Sequence, residues 1–231
     1  MYEMFAQVYD KVFPMNKATA HFLNTKLPDG LVLDLACGTG SYALELANAK
    51  RQVIGNDLDE NMIRIANEKK QDQSVLFDVR NMLELDKANA FDGIYMIGNS
   101  LVHLEDEDSI FAMLNRVYKA LKPKGTFILQ IINYDRILDQ NIKGLPTIKS
   151  EGVIFERHYD YKAPHIDFHT LLHDQDNIIE STVKLFPIRY HVLIAMLEEV
   201  GFHVQSTYGG FDETPFSLET SVPLIIHAKK Q

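Results

Sequence analysis

Tryptophan is absent from the chain and cysteine occurs once, as Cys37. A lone cysteine excludes an internal disulfide and any multi-cysteine zinc site, and it fits a reducing compartment. Positive charge is scarce: 23 Lys+Arg stand against 32 Asp+Glu, a formal net charge of −9 at pH 7. Nucleic-acid binding draws on Lys and Arg that neutralise phosphates, and no basic cluster offsets the deficit, so a nucleic-acid partner is disfavoured. The same balance argues against docking on anionic membranes. No apolar run approaches the ~18 residues of a membrane-spanning helix. The opening Met1-Tyr2-Glu3-Met4-Phe5 carries an acid and lacks the basic stretch of a secretory signal. The expectation is a soluble, cytoplasmic protein, monomer or homodimer. With 46% hydrophobic and 24% charged residues, the composition is that of a globular chain and excludes disordered, collagenous and disulfide-scaffold classes.

The 231 residues suit one domain over 1–231. Its first 150 residues alternate short apolar runs with amphipathic stretches. Leu31-Val32-Leu33-Asp34-Leu35, Val53-Ile54-Gly55, Val75-Leu76-Phe77, Ile94-Tyr95-Met96-Ile97 and 127–132 read as buried strands. Residues 39–50 and 60–70 read as helices. Ile110, Leu114, Val117 and Leu121 recur at helical spacing, and Pro123 and Gly125 stop that helix. Strands that are apolar throughout need helices on both faces, the mark of a parallel α/β sheet. The pattern changes after about residue 145. Residues 153–161, 165–173 and 178–186 look extended, with turn signals at Ala163-Pro164 and Asp174-Gln175-Asp176-Asn177. This is read as an antiparallel meander inserted at about 146–187. A helix over 190–200 and strands over 203–208 and 223–229 complete the chain.

The strongest chemical signal is Asp34-Leu35-Ala36-Cys37-Gly38-Thr39-Gly40. A buried strand ends in small residues that open a helix, so a ligand can approach backbone N–H groups closely. Gly38-Thr39-Gly40-Ser41-Tyr42-Ala43 also fits the loose dinucleotide pattern G-x-G-x-x-G/A. Asp34 separates the two readings, because a carboxylate repels a pyrophosphate and attracts an ammonium and a sulfonium. Here the sequence resembles the class I S-adenosylmethionine-dependent methyltransferases, with Ala36 in place of the first glycine of their loop. The resemblance continues through Asp57, which can accept both ribose hydroxyls, while Asp59 suits a helix cap. Phe77-Asp78-Val79 is similar to the segment that meets the adenine; the alternative for Asp78 is a loop pair with Arg80. The segment from Tyr2 to Asp10 is similar to the one that closes over the cofactor, and the alternative is a helix packing its aromatics on the core. Gly98-Asn99-Ser100 and Asn133-Tyr134-Asp135 are close to the glycine and sarcosine type of small-molecule N-methyltransferase. Those enzymes place an arginine just before Asn-Tyr-Asp to hold a carboxylate. Ile132 stands there in this chain and cannot pair one, which makes glycine doubtful as a substrate.

The resemblance implies a Rossmann-like seven-stranded methyltransferase sheet with the meander added, S-adenosyl-L-methionine as cofactor, and a small-molecule acceptor with an N or O nucleophile. It implies cofactor contacts from Tyr9, Asp34, Ala36, Gly38, Gly40, Asp57, Leu58, Asp78, Val79, Ile97 and Gly98. Asn99, His103, Asn133 and Tyr190 are expected at the acceptor, with His103 and Tyr134 as candidate catalytic groups and the meander as the roof of the cleft. His165, His169 and His173 invite a metal reading, but on a strand such residues lie ~13 Å apart, too far to share an ion with ligands at ~2 Å. No metal is expected. Cys37 reads as a small loop residue. The rivals are a cofactor-binding module without turnover, a nicotinamide-dependent oxidoreductase and an RNA methyltransferase. The oxidoreductase is weakened by the lack of a Tyr-x-x-x-Lys pair, and the RNA enzyme by the charge balance.

Overall fold

A computed structural model describes residues 2–70, 74–175 and 177–231, with side chains from Phe5 onward among them. Met1, Asp176 of the expected turn and the side chains of Tyr2, Glu3 and Met4 lie outside the described residues. Helices α1 (Tyr2–Val12) and α2 (Lys17–Lys26) precede the first strand. The alternating half follows as β1 (Gly30–Leu35), α3 (Ser41–Leu46), β2 (Arg51–Asp57), α4 (Glu60–Lys69), β3 (Val75–Val79), β4 (Phe91–Met96), α5 (Glu107–Ala120), β5 (Leu121–Ile132) and α6 (Tyr134–Asp139). Four antiparallel strands come next, β6 (Gly144–Ser150), β7 (Val153–Lys162), β8 (His165–Asp174) and β9 (Asn177–Leu185). Helix α7 (Tyr190–Val200) and strands β10 (Phe202–Tyr208) and β11 (Pro223–Lys230) end the chain.

Seven strands form one sheet in the order β10-β11-β5-β4-β1-β2-β3. The pairs among β1 to β5 are parallel, whereas β11 runs antiparallel to both β5 and β10. The chain winds outward from β1 to β3 and returns to β4 on the other side of β1, which opens a crevice at the carboxyl ends of β1 and β4. Val32, Leu33, Ile94, Met96, Phe127 and Leu129 are buried, as strands covered on both faces require. The second sheet, β6-β7-β8-β9, stands over that crevice. Its Tyr159, Ile166 and Leu185 join the same buried cluster as Leu33, Met96 and Leu129 of the large sheet. Among the described residues no helix is long and apolar enough to cross a membrane.

Local chemistry explains where the elements differ from the sequence reading. Helix α3 is shorter than 39–50. Gly40, in the left-handed region at φ 75°, delays its start, and the Asn48 side chain takes the Lys50 and Arg51 N–H groups in a turn that ends it. Helix α2 was not anticipated, although Asn16 caps it by accepting from Ala18 and Thr19 at 2.8 and 3.2 Å. Strand β5 starts at Leu121, and Pro123 and Gly125 lie within a register shift between Phe91 and Gly93 of its partner. Strand β6 was missed because Pro146 interrupts its apolar pattern, and proline is tolerated there because β6 is an edge.

Candidate active site

One cavity of about 710 Å³ lies between the carboxyl ends of the large sheet and the inner face of the small one. Of the residues expected at the cofactor, Tyr9, Asp34, Ala36, Gly38, Asp57, Ile97 and Gly98 line it, together with Asn99 and His103. Apart from Tyr9, which comes from α1, they converge because each ends a strand or lies in the loop that follows one.

Asp34 is 3% exposed and accepts a 2.7 Å hydrogen bond from the Tyr95 hydroxyl. Burial pushes its carboxyl up to about 7, the nearby Asp57 adds to the rise, and the Tyr95 bond opposes it. Asp57 accepts from the backbone N–H of Gly38 at 2.7 Å and of Asp59 at 3.0 Å, so it ties the end of β2 to the loop after β1. Its carboxyl is also raised by burial. Asp59 caps α4, accepting from Asn61 N–H at 2.8 Å, as its position suggested. Burial holds the Cys37 thiol well above its usual range, in line with a packing role.

Helix α1 covers the glycine loop. Asp10 accepts hydrogen bonds from Thr39 Oγ1 at 2.5 Å, Ser41 Oγ at 3.1 Å and Lys69 Nζ at 2.8 Å. Burial would raise the Asp10 carboxyl, but these donors outweigh it and hold the group below its ordinary value. Tyr9 faces Gly38, where an added Cβ would sit 3.4 Å from the ring. Phe5 and Phe13 pack on Phe155 of β7 with centroids 5.6 and 5.7 Å away. The α1 aromatics therefore both line the cavity and pack on the roof.

Several expected contacts fall elsewhere. Gly40 does not line the cavity; a Cβ there would sit 2.4 Å from the Phe77 ring, so the glycine serves packing of the loop on β3. Leu58, Asp78 and Val79 lie outside the enclosed space, on the open ends of β2 and β3. Leu58 and Val79 are exposed, and Asp78 pairs with Arg80 at 3.1 Å. Asn133 does not reach the cavity. It caps α6 through a bond from Arg136 N–H, and its amide donates to the carbonyls of Leu218, Ser221 and Ser217. Tyr134 is 1% exposed, and its hydroxyl accepts a bond from Asn99. Tyr190 opens α7 and stacks on Phe216 at 5.1 Å. The Asn-Tyr-Asp run is thus structural, and its Asp135 holds Arg189 Nη1 and the Tyr190 N–H. Asn99 lines the cavity, but its Oδ1 already accepts from Ile132 N–H at 2.9 Å. His103 is the one candidate catalytic group on the cavity wall, and burial lowers its imidazole below the usual value, toward the neutral form.

The three meander histidines turn to different partners: His165 to the Glu105 carbonyl, His169 to Thr182 and His173 to Glu156. Ligand atoms of Asp160, Asp167 and His169 do lie within 4.8 Å of one another, with the Lys162 ammonium 3.3 and 2.8 Å from the two carboxylates. The sequence reading missed Asp10, Tyr95, Gln130, whose Oε1 accepts a 2.7 Å bond from the Gly98 N–H, and Arg157, which lines the cavity from β7. Only Arg157 left a trace, as a charge at an inward position of an alternating strand.

A family model for a methyltransferase domain matches residues 32–125. YqeM of Bacillus subtilis is 32% identical over 137 residues, 57% of this chain and 55% of that one, so the chain spans little more than half of that relative. The glycine/sarcosine N-methyltransferase of Aphanothece halophytica is 31% identical over 201 residues, covering 79% of this chain and 70% of that enzyme. The fold matches a solved S-adenosylmethionine-dependent methyltransferase from Clostridium acetobutylicum at a TM-score of 0.83, with 19% identity over 99% of this chain and 98% of the other. The reversed strand β11, the acid-ended glycine loop and these similarities agree: the chain belongs to the class I S-adenosylmethionine-dependent methyltransferases.

Proposed function

We propose that the chain transfers the methyl group of S-adenosylmethionine to an N or O nucleophile of a small molecule held beneath the second sheet. The observation that carries this reading is one continuous cavity, lined at one end by the Asp34 loop and Asp57 and at the other by β7, β8 and β9. The residues present fit the cofactor. Asp34 is a buried carboxylate suited to a cation, Gly38 leaves room for backbone contact, and Asp57 retains lone pairs for ribose hydroxyls. Leu58 and Val79, exposed beside Asp57, offer apolar surface to a purine, with Asp78 as an acceptor for its amino group.

When bound, the sulfonium supplies an already activated methyl group. What remains for the protein is placement and exclusion of water, and placement alone can be worth ~7–11 kcal/mol. Helix α1 and the second sheet enclose the site, while Asn99, fixed by Ile132 and Tyr134, sets the wall on which an acceptor rests. His103, neutral, accepts the proton that an amine or hydroxyl loses as its lone pair takes the methyl.

Titration calorimetry with S-adenosylhomocysteine tests the reading, and no binding at millimolar concentration removes it. Asp57→Ala should weaken that binding by ~1.5–3 kcal/mol, the worth of hydrogen bonds to a charged group. It should also lower stability, because Gly38 and Asp59 lose their acceptor. Asp57→Asn keeps an acceptor for only one of those two N–H groups and turns an amide donor toward the other, so it should lose part of the stability as well as affinity.

A further inference from the structure

Where it lines the cavity, the inner face of the second sheet is apolar except for one row. Arg157 on β7, Thr170 on β8 and Ser181 on β9 are direct cross-strand partners, and all three line the cavity. On one side of them runs the row Phe155, Leu172 and Ile179, and on the other Phe168 and Val183. A guanidinium and two hydroxyls thus form a polar stripe across a greasy ceiling.

Arg157 has no counter-ion among the described residues. Its Nη2 donates to the Pro146 carbonyl, its Cζ lies 5.9 Å from the Phe155 ring centroid, and its buried Nε has no hydrogen-bond partner. Arg157 is half-buried, and a charge drawn partly out of water without a counter-ion carries a cost that an arginine does not escape by losing its proton. The acids of the cavity, Asp10, Asp34, Asp57 and Asp59, belong to α1 and to the strand ends and loops of the large sheet.

We infer that the acceptor is an amphipathic carboxylate, anchored through its acid group by Arg157 with Thr170 and Ser181 while its apolar body lies on the flanking rows. The planar guanidinium matches a carboxylate in shape and charge. The accepting amine or hydroxyl is a separate group of the same molecule. Ile132, where an arginine was sought in the sequence, also lines the cavity, so the anchoring cation comes from the roof instead of the sheet. The apolar rows select a body larger than that of glycine. This inference rests on the methyl-transfer reading.

The test uses the full chain saturated with S-adenosylhomocysteine. Phenylacetate and hexanoate are titrated against the matched amides, phenylacetamide and hexanamide, by calorimetry or ligand-observed NMR. The acids should bind at least ~10-fold more tightly than the amides, as a charged hydrogen bond provides. Arg157→Met should remove that preference and Arg157→Lys should keep part of it, both with unchanged affinity for S-adenosylhomocysteine, which also shows that the variants fold. Equal binding of acid and amide, no binding of either acid up to ~50 mM, a range far weaker than a built anion site, or an acid preference that survives Arg157→Met overturns the inference. Failure of S-adenosylhomocysteine to bind the unaltered chain overturns the methyl-transfer reading instead.

Discussion

Asn99 donates a 3.0 Å hydrogen bond to the hydroxyl of Tyr134 and takes a 2.9 Å bond from the N–H of Ile132. The loop after β4 is thereby fastened to the end of β5, and the backbone of Asn99 stays in the left-handed region at φ 71°. Two residues that the sequence marked for acceptor chemistry bind each other.

Tyr134→Phe therefore tests scaffold against catalyst. It should cost about 1 kcal/mol, the net worth of one buried hydrogen bond. In a chain of this size that is a drop of ~2–4 °C in melting temperature. Affinity for S-adenosylhomocysteine should stay within ~2-fold, since 0.4 kcal/mol is the scale of an indirect effect. A pH–rate profile that loses one limb in this variant would restore Tyr134 to the chemistry.

Asp34 makes binding and stability respond to pH in opposite ways. Burial raises its folded-state value to about 7, above the ~3.9 of an unfolded chain. Between those values the folded chain holds a proton that the unfolded chain has released, so the Asp34 contribution to stability falls as pH rises through the window. A cationic ligand favours the ionised form, so affinity for S-adenosylmethionine should rise from pH 6 to pH 8, with proton uptake by the buffer. Asp34→Asn should flatten that rise, weaken binding, and raise the melting temperature of the ligand-free chain at pH 8 by ~2–4 °C, a gain of about 1 kcal/mol. Calorimetry in buffers of different ionisation enthalpy, with thermal melts alongside, reads both. An affinity independent of pH would remove Asp34 from the cation site.

The contact of Asp10 with Thr39, Ser41 and Lys69 is the polar fastening of α1 over the loop. Asp10→Ala should speed release of S-adenosylhomocysteine by ~3–10-fold, which corresponds to the net worth of about one hydrogen bond. Stopped-flow displacement measures it, and limited proteolysis should show earlier cutting in α1. An unchanged release rate would make α1 a fixed part of the core.

The strands of the large sheet were legible because burial on both faces leaves an unbroken apolar run. The loop chemistry was legible for a related reason: close approach demands small residues, and only a few sequences meet that demand. Asp34, Gly38, Asp57, Gly98 and His103, picked out from the chain alone, come together on the cavity wall. Asn133, Tyr134 and Tyr190 lie off the cavity wall, since a motif names residue types and not the direction in which a strand end turns them. Gly40 packs against Phe77 and does not line the cavity, because the same freedom at positive φ serves either a ligand or a neighbouring ring.

The linear order of residues by itself determined the α/β alternation, the acid-ended small-residue loop and the presence of an antiparallel insertion, all of which depend on near neighbours and simple periods. Only the tertiary structure decided that Arg157, Thr170 and Ser181 form one row over the site, that Asp10 closes α1 onto Thr39, and that Asn-Tyr-Asp holds the scaffold together. Strand register and long-range packing set those relationships, and both follow from which distant surfaces must be buried together.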